Sequence, residues 1–235
     1  DWLLESRPQA RHLFITCNRD GALATSYRHR PDVRTIVLDE KTDDRSLVMT
    51  SSFTNMVLAG RALAGNPEAC EARALGLARA AAALLRERAA ALDATARGGF
   101  GSVVYLGSGC RLGSAREAAL KMLEMNAGEV FTIAESYLGL RHGPMSAIRP
   151  DTLVVALLSS DPLVRAYERD LLTELDRKGL GSGRVIVGAG VPAGVVASPD
   201  PLVLDGDACA PCADEDLTLL DALVGQLLAF FRCLA

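Results

Sequence analysis

Short runs of consecutive apolar residues recur along this chain, separated by longer stretches with helical patterns. The runs do not alternate polar with apolar residues, which is typical of strands that helices cover on both faces of a sheet. When strands and helices alternate along a chain, right-handed crossovers join the strands into a parallel sheet. We therefore predict an α/β fold, a three-layer α/β/α sandwich with a parallel sheet at its centre.

The predicted elements follow from this pattern and from the turn signals between the runs. The predicted strands are 12–16, 34–38, 46–49, 102–106, 152–158, 184–188 and 202–204. The predicted helices are 52–64, 70–96, 113–127, 162–178 and 215–234. Gly65-Asn66-Pro67 breaks the chain after the first helix, so we expect two units, 1–66 and 67–235.

The composition excludes several classes of protein. Hydrophobic residues make up 49% of the 235 residues, so the chain can bury a sizeable core, which excludes intrinsic disorder. A net charge of −4 argues against a broad basic surface for nucleic acid. No apolar run approaches the ~18 residues of a membrane span, no secretion signal opens the chain, and the cysteines lack the spacing of a disulfide framework. We therefore expect a cytoplasmic protein that binds neither nucleic acid nor membrane.

A glycine-rich turn follows the predicted strand at 102–106 and leads into a helix. Gly107, Gly109 and Gly113 let the backbone approach a ligand, and the free N–H groups of the helix N-terminus can hold an anion. Ser108 in this turn is therefore a candidate ligand-binding residue. The same glycines fit a tight turn that requires positive φ angles. They also permit a nucleotide-binding oxidoreductase, although the spacing is GxGxxxG rather than GxGxxG.

The helix after this turn carries Glu117, Lys121 and Glu124 on one face, because the three residues are spaced i, i+4 and i+7. Lys121 is one of only three lysines beside 22 arginines, and it lies just downstream of the candidate anion site. A solvated ion pair on the helix surface explains the spacing equally well. The pattern leaves both interpretations open.

The segment 135–146 is predicted to be a loop, with His142 between Arg141 and a Gly-Pro pair. The imidazole of histidine titrates near working pH, so His142 is a candidate acid–base group. The other histidines of the chain are His12 and His29, so we expect no multi-histidine metal site.

Hydroxyl groups cluster where the predicted helix at 52–64 begins, at Thr50, Ser51 and Ser52. Serine and threonine are preferred at this position because they cap the helix. The same hydroxyls and the helix N–H groups can also hold a phosphate. Capping alone and phosphate binding both stay open on this pattern.

Two segments resemble proteins with sugar isomerase (SIS) domains: 48–58 (VMTSSFTNMVL) and 104–148, which contains the blocks AREAALKMLE and RHGP. The nearest branch is the tagatose-6-phosphate ketose/aldose isomerase-like group, whose members also act as galactosamine-6-phosphate deaminases. The resemblance extends over essentially the whole chain. It implies two SIS folds in tandem, each a parallel five-stranded sheet with flanking helices that binds phosphosugars at the carboxyl ends of its strands.

The resemblance also implies which parts of the tandem are present. In the family, a Ser-Gly-Asn-Ser type phosphate loop precedes the strand that corresponds to 12–16, and this sequence does not contain that loop. We therefore expect 1–66 to be the C-terminal part of a first, incomplete SIS domain. We expect 67–235 to be a complete second SIS domain.

The resemblance implies roles for three catalytic residues. A helix glutamate, here Glu124, moves a proton between C1 and C2 of the sugar; Lys121, three residues earlier, assists, and His142 helps to open the ring. Aldose–ketose interconversion and amino-sugar deamination both pass through an enediol- or enolamine-like species, which needs a proton-transferring carboxylate and groups that hold an oxyanion. No metal and no organic cofactor is expected. The expected substrate-binding residues are Thr50, Ser51, Ser52, Ser108 and Arg141.

We accordingly expect a phosphosugar isomerase or deaminase that acts on a ketose, aldose or amino-hexose 6-phosphate. SIS folds commonly dimerise. In a distant relative, the isomerase domain of glucosamine–fructose-6-phosphate aminotransferase, the loop histidine acts across a subunit boundary. We therefore expect a homodimer or higher homo-oligomer in which His142 belongs to a neighbour's site. The alternatives are a non-catalytic module that senses a phosphosugar and the nucleotide-binding oxidoreductase considered above.

Overall fold

The computed structural model describes residues 2–197, 202–205 and 213–235. The chain forms two compact units, Asp1–Glu71 and Ala72–Ala235, and each is described by itself. The assignment of the chain to an incomplete and a complete SIS domain stays a prediction.

The first unit contains a two-stranded parallel sheet. Its strands are β1 (His12–Thr16) and β2 (Val33–Val37), which pair in register along their whole length. Its helices are α1 (Trp2–Ser6), α2 (Ala22–Thr25) and α3 (Ser51–Ala62), with a short 3-10 helix at Glu40–Thr42. The two strands and α3 agree with the predicted elements to within two residues.

The strand predicted at 46–49 is wrong, because these residues form a loop. Two side chains fold this segment back on itself. Ser46 Oγ donates a hydrogen bond to the carbonyl oxygen of Val48 (2.8 Å), and the carboxylate of Asp44 binds the N-terminus of α3. These short-range contacts bend the backbone away from the extended form that a strand requires.

The second unit is built on a five-stranded sheet. Its strands are β3 (Ser102–Leu106), β4 (Phe131–Glu135), β5 (Thr152–Leu157), β6 (Gly183–Gly188) and β7 (Leu202–Asp205). The helices from residue 67 onward are α4 (Pro67–Glu87), α5 (Ala89–Arg97), α6 (Arg111–Met125), α7 (Tyr137–His142), α8 (Pro162–Arg177) and α9 (Asp214–Leu234), with a 3-10 helix at Pro144–Ala147. The strand order is β4-β3-β5-β6-β7, and every neighbouring pair is parallel.

This strand order creates a switch point beside β3. The chain leaves β3 for β4 on one side and then passes to β5 on the other side, so the loops after β3 and β5 diverge at the carboxyl edge of the sheet. In open α/β sheets, such a divergence forms the crevice in which ligands usually bind. By topology alone, the carboxyl edge beside β3 is the expected ligand crevice of this unit.

Helices cover both faces of this sheet. Successive strand residues point to opposite faces, and each face has its own core. Val103 and Tyr105 of β3 lie in the core formed with α5, α6 and α9, whereas Val104 and Leu106 lie in the core formed with α7 and α8. The predicted three-layer α/β/α sandwich with a parallel sheet is therefore confirmed, while the tandem arrangement stays a prediction.

One strand of the second unit is missing from the predicted set, and one predicted helix is wrong in its extent. Strand β4 is absent from the predicted set because its sequence, FTIAE, alternates polar with apolar residues and is not a continuous apolar run. Strand β4 lies at the edge of the sheet, and its Phe131 is exposed. The helix predicted at 70–96 is two helices, α4 and α5. They are separated at Arg88, where φ is −118°, although no glycine or proline marks the break.

The loop predicted at 135–146 is also wrong, because most of it is helical. The N–H of Gly139 donates a hydrogen bond to Ser136 Oγ (3.0 Å), which caps the first turn of α7. Tyr137 and Leu140 are buried in the core, so a single short turn of helix is stabilised by packing. His142 is therefore the last residue of a helix instead of a loop residue.

Helices α6 and α9 pack closely because residue 225 is a glycine. A Cβ at Gly225 would overlap the Cβ of Ala118 and would lie 2.8 Å from its Cα. At the start of the contact, Ser114 Oγ of α6 donates a hydrogen bond to the carbonyl oxygen of Thr218 on α9 (3.0 Å). The two helices are thus held in a fixed register, which in turn positions the side chains of α6.

Within the described part of the chain, α9 is the helix long and apolar enough to cross a membrane, judged by length and composition alone. Its apolar residues are instead used in the core of the second unit. Val224 and Leu228 are fully buried, and Asp221 forms an ion pair with Arg111. Helix α9 is therefore a core helix.

Candidate active site

The face of α6 that was singled out in the sequence carries a buried charge cluster. Lys121 is only 2% exposed, and its Nζ lies 2.6 Å from Glu124 Oε2 and 3.4 Å from Glu117 Oε1. Glu117 is 9% exposed, whereas the side chain of Glu124 is 36% exposed. A solvated surface pair does not describe this arrangement, because Lys121 is buried and the side chain of Glu117 is only 10% exposed.

Electrostatics separate the roles of the two carboxylates. Burial raises the pKa of Glu117, the charge of Lys121 opposes that rise, and the nearby Glu124 adds to it. Lys121 therefore stabilises the ionised form of Glu117. Glu124 is the carboxylate that solvent or a ligand can reach, with an ammonium group 2.6 Å away. A proton-accepting carboxylate beside a fixed cation can move a proton and stabilise a neighbouring oxyanion.

Arg141 and His142 lie on the opposite face of the sheet from this cluster, because α7 packs in the core with α8 and α6 packs in the core with α9. Arg141 Nε lies 2.9 Å from Glu174 Oε2 on α8, so the guanidinium is held by a carboxylate of the chain. His142 is exposed. Within one copy of the second unit, the structure therefore does not bring His142 together with Glu124.

Ser108 is also separated from the charge cluster. It lies in the turn after β3, and α6 begins three residues later, so Lys121 is about 15 Å further along the helix axis. Ser108 lies beside the buried carboxyl group of Glu168; burial raises the pKa of Glu168, and the Ser108 side chain opposes that rise. Ser108 and the pair Lys121–Glu124 therefore belong to different ends of α6.

The glycines of this turn meet geometric needs of the turn itself. A Cβ at Gly107 would lie 2.5 Å from the carbonyl oxygen of Arg111 and 2.8 Å from the N of Leu112, so only glycine allows α6 to start this close to β3. Gly109 has φ +54°, the left-handed region that glycine adopts without strain. The tight-turn interpretation therefore explains the glycine spacing.

The carboxyl edge of this sheet is filled by the chain's own charges. Arg111 is fully buried, and its Nε and Nη2 donate to the two carboxylate oxygens of Asp221 (2.8 and 2.5 Å). Its Nη1 donates to the carbonyl oxygen of Leu158 and its Nη2 to that of Val187. These bonds join the ends of β5 and β6 to α9, so Arg111 is a structural cation that no ligand can reach.

The anion-binding groups after β5 are occupied as well. Ser159 Oγ and the N–H of Ser160 donate to the two carboxylate oxygens of Asp214 (2.5 and 2.6 Å). Burial alone would raise the pKa of Asp214, but these hydrogen bonds outweigh it and the pKa is lowered. A phosphate at this edge would find the donors of Ser159 and Ser160 occupied by Asp214. This arrangement does not favour the nucleotide-binding interpretation of the glycine turn.

In the first unit, Thr50, Ser51 and Ser52 surround a carboxylate. Asp44 accepts hydrogen bonds from the N–H groups of all three residues (2.8, 3.0 and 3.0 Å) and from the hydroxyls of Thr50 (2.8 Å) and Ser52 (2.5 Å). Partial burial would raise the pKa of Asp44, but the hydrogen bonds from Ser52 and Thr50 outweigh it and hold the pKa far below its usual range. The N-terminus of α3 is therefore an anion-binding site, and a carboxylate of the same chain fills it.

Three residues that matter here were not assigned roles from the sequence. The sequence places Glu117 on the same helix face as Lys121, but it does not show that Glu117 is buried. The only sign in the sequence that Asp44 contacts Thr50 is its position six residues earlier. Arg111 belongs to the glycine-rich motif, but its partner Asp221 lies 110 residues away.

Comparisons with known proteins relate the chain to enzymes of sugar phosphates. No protein-family model matches the chain. A Streptomyces coelicolor protein provisionally named D-galactosamine-6-phosphate deaminase AgaS is 37% identical over 228 residues, which is 94% of this chain and 57% of the relative. D-galactosamine-6-phosphate deaminase AgaS of Escherichia coli O157:H7 is 37% identical over 202 residues, which is 84% of this chain and 51% of the relative.

A solved structure agrees with these relatives. The crystal structure of tagatose-6-phosphate ketose/aldose isomerase from Escherichia coli matches with a TM-score of 0.87 at 31% identity, over 97% of this chain and 61% of that one. This chain spans about half the length of the curated relatives it matches.

We predict that Lys121→Met destabilises the protein by about 3 kcal/mol at pH 7.5, because it leaves Glu117 buried without its cation. A carboxyl group whose pKa is raised in the folded state favours folding more as the pH falls, so the loss should become smaller as the pH is lowered from 7.5 to 5. Urea unfolding at the two pH values measures both losses.

Two further variants control this prediction. The double variant Glu117→Gln/Lys121→Met removes both charges and should recover most of the stability. Lys178→Met removes an exposed lysine that pairs with Glu174 and should cost less than about 1 kcal/mol. Equal losses for Lys121→Met and its double variant would contradict the dependence of Glu117 on Lys121.

We predict that Asp44→Asn lowers the stability of the first unit by about 1–2 kcal/mol at neutral pH, because an amide cannot accept all five hydrogen bonds. A carboxylate with a lowered pKa in the folded state contributes stability above its unfolded pKa of about 3.9, and that contribution is lost as the pH falls. The gap in melting temperature between parent and variant should therefore be constant from about pH 5 to 8 and should narrow below about pH 4. Asp43→Asn, at an exposed neighbouring position, is the matched control. A gap that is independent of pH would count against the bound carboxylate.

Proposed function

Because this chain belongs to the sugar isomerase (SIS) domain family, in the branch of the tagatose-6-phosphate ketose/aldose isomerases and galactosamine-6-phosphate deaminases, we propose that the intact protein isomerises a hexose 6-phosphate or deaminates an amino-hexose 6-phosphate. The observation that carries this proposal is the pair Lys121–Glu124. It combines a reachable carboxylate with a buried ammonium group 2.6 Å away.

In the proposed reaction, Glu124 takes the proton from the carbon next to the carbonyl or imine carbon of the opened sugar. The electron pair of the C–H bond forms an enediol or enolamine, and the developing negative charge on oxygen is stabilised by the ammonium group of Lys121. Glu124 then returns the proton to the neighbouring carbon while the hydroxyl proton on O2 passes to O1, which completes isomerisation. With an amino sugar, a proton passes from the nitrogen to O1 instead, and the product imine adds water and releases ammonia as the ketose forms.

Glu117 supports this chemistry without touching the substrate. Its carboxylate holds the other side of Lys121, at 3.4 Å, and so keeps the ammonium group in place when Glu124 is protonated. Since Lys121 is buried, its side chain has little room to turn away from the two carboxylates toward solvent. The proposed roles of Lys121 and Glu124 therefore depend on a third charge on the same helix face.

We propose that Thr50, Ser51 and Ser52 bind the sugar. Asp44 already accepts hydrogen bonds from their three N–H groups and from the hydroxyls of Thr50 and Ser52, so these groups would have to leave Asp44 to bind a ligand, whereas the hydroxyl of Ser51 does not bind Asp44. Ser108 and Arg141 have partners in Glu168 and Glu174, and they would have to exchange these partners to reach a substrate. We therefore give both residues secondary roles in substrate binding.

His142 is proposed to act on the substrate held by a second copy of the chain. The support for this is its place on α7, across the sheet from Lys121 and Glu124. A homodimer would bring the α7 of one copy to the α6 of the other, so ring opening and proton transfer would use residues of two chains. We propose that this assembly works in the cytoplasm without a metal or organic cofactor.

Glu124→Gln should lower kcat by about 10²–10⁴ with little change in KM, because it removes the proton acceptor and keeps the shape of the side chain. The measurement uses the intact protein with tagatose 6-phosphate and galactosamine 6-phosphate, and it follows both isomerisation and ammonia release. Glu129→Gln, at an exposed position after the same helix, is the matched control and should keep parental activity. Unchanged turnover in Glu124→Gln would refute the proposed role. Binding without turnover in the parent would favour the phosphosugar-sensing module.

Mixing two inactive variants tests the shared site. Glu124→Gln and His142→Gln should each be inactive alone, whereas mixed dimers should contain one site with both residues intact. Random reassociation should then restore activity to about a quarter of the parental sites. If the mixture stays as inactive as its components while both variants still dimerise, His142 does not act across the subunit boundary.

A further inference from the structure

A second concave region of the second unit is lined by arginines. It is a cavity of about 740 Å³ beside the C-terminal half of α8 and the turn that leads into β6. The N–H of Ser182 in this turn donates a hydrogen bond to the carbonyl oxygen of Thr152 (2.8 Å), so the cavity lies at the amino ends of β5 and β6. This edge is opposite to the carboxyl edge at which Arg111 and Asp214 lie.

Arg184 forms the inner wall of this cavity. It is 4% exposed, and its Nη2 donates to the carbonyl oxygen of Leu180 (2.6 Å) and pairs with Asp176 Oδ1 at 3.2 Å. Its Nε–H is buried and has no hydrogen-bond partner among the residues that the structure describes. Its Nη1 donates to the carbonyl oxygen of Gly183 (3.0 Å), so the guanidinium group is held in place by the chain and presents a fixed positive charge at the inner wall.

Asp176 is the acidic residue of the cavity lining, and it is already neutralised. Its Oδ1 faces Arg184, and its Oδ2 accepts a hydrogen bond from the N–H of Ala197 (2.9 Å). The C-terminus of α8, which is the negative end of the helix dipole, also lies beside the cavity and disfavours an anion to a small extent. Arg177 in its last turn offsets that charge.

The outer wall carries further positive charge. Arg169, Thr173 and Arg177 line the cavity from α8 and share one helix face at spacings of four and eight residues. Both arginines are exposed, and neither forms an ion pair with any residue in 2–197 or 213–235. The cavity therefore holds two exposed arginines available for a ligand, the fixed guanidinium group of Arg184, and the hydroxyl groups of Thr173 and Ser182.

We propose that this cavity is a binding site for a phosphate monoester, separate from the proposed catalytic site. Its volume falls in the range of small-molecule sites, and its polar and positively charged lining suits a charged ligand better than an apolar one. Guanidinium groups bind phosphate through paired, charge-assisted hydrogen bonds, and hydroxyl donors complete such a site. Helix α8 lies on the opposite face of the sheet from Lys121 and Glu124, so within one copy of the chain a ligand in this cavity is a molecule other than the sugar at Lys121 and Glu124.

Isothermal titration calorimetry on the intact protein tests this site with three probes: inorganic phosphate, glucose 6-phosphate and adenosine 5′-monophosphate. We expect saturable binding of at least one of the two monoesters, and comparison of the two separates a sugar-phosphate ligand from a nucleotide ligand. The double variant Arg169→Gln/Arg177→Gln should weaken that binding at least about tenfold. The matched double variant Arg79→Gln/Arg86→Gln changes the same charge at exposed positions of α4 and should keep the affinity within about twofold.

Hydrogen exchange locates the bound ligand independently of any substitution. Bound monoester should slow exchange of the amides in Gly179–Arg184 of the parent protein. Binding of inorganic phosphate alone, equal loss of affinity in both double variants, or protection elsewhere without protection of this segment would each overturn the proposal. Since none of these readouts uses turnover, they stand apart from the test of the proposed enzymatic function.

Discussion

The buried guanidinium group of Arg111 is the interaction on which the second unit depends most. It joins the first turn of α6 to Asp221 of α9 and to the backbone carbonyl groups at the ends of β5 and β6. Removing one partner of such a pair costs about 3–5 kcal/mol, because the other charge stays buried. The same contact fixes where α6 begins, and the helix then carries this constraint along its length to Lys121 and Glu124. Arg111, at the start of α6, therefore sets the position of Lys121 and Glu124, which lie near the end of the same helix.

In each unit, a carboxylate of the chain occupies a group of hydrogen-bond donors. In the first unit, Asp44 fills the N-terminus of α3, and in the second, Asp214 takes the donors of Ser159 and Ser160. Each carboxylate satisfies donors that would otherwise need water or a ligand. The cavity beside α8 differs from both, because three of the described residues that line it are arginines and one, Asp176, is acidic. This excess of arginine among the described lining residues distinguishes the cavity from the edges at which a carboxylate occupies the donors.

The sequence predicted the α/β sandwich because apolar runs and helical periodicity are local signals that tertiary packing reinforced. It also predicted that Lys121 and Glu124 share a helix face, which follows from helical geometry alone. It did not predict the partners of Ser108 and Arg141, because Glu168 and Glu174 reach them from α8 across the core. Nor did it predict that His142 ends a helix, since the stability of α7 comes from burial of Tyr137 and Leu140. What the pattern could not supply is long-range: which face of the sheet each residue reaches, and which charge it meets there.

The close contact between Gly225 and Ala118 limits how this protein can diverge. Any side chain at 225 would collide with α6, and replacing Ala118 by glycine would not remove the collision, because the Cα of residue 118 would still lie 2.8 Å from the new Cβ. A larger residue at 225 therefore requires the backbones of α6 and α9 to move apart, and no substitution at 118 compensates for it. Evolution at this contact is limited by the spacing of two helix backbones, so position 225 should stay glycine for as long as the helices pack at this distance.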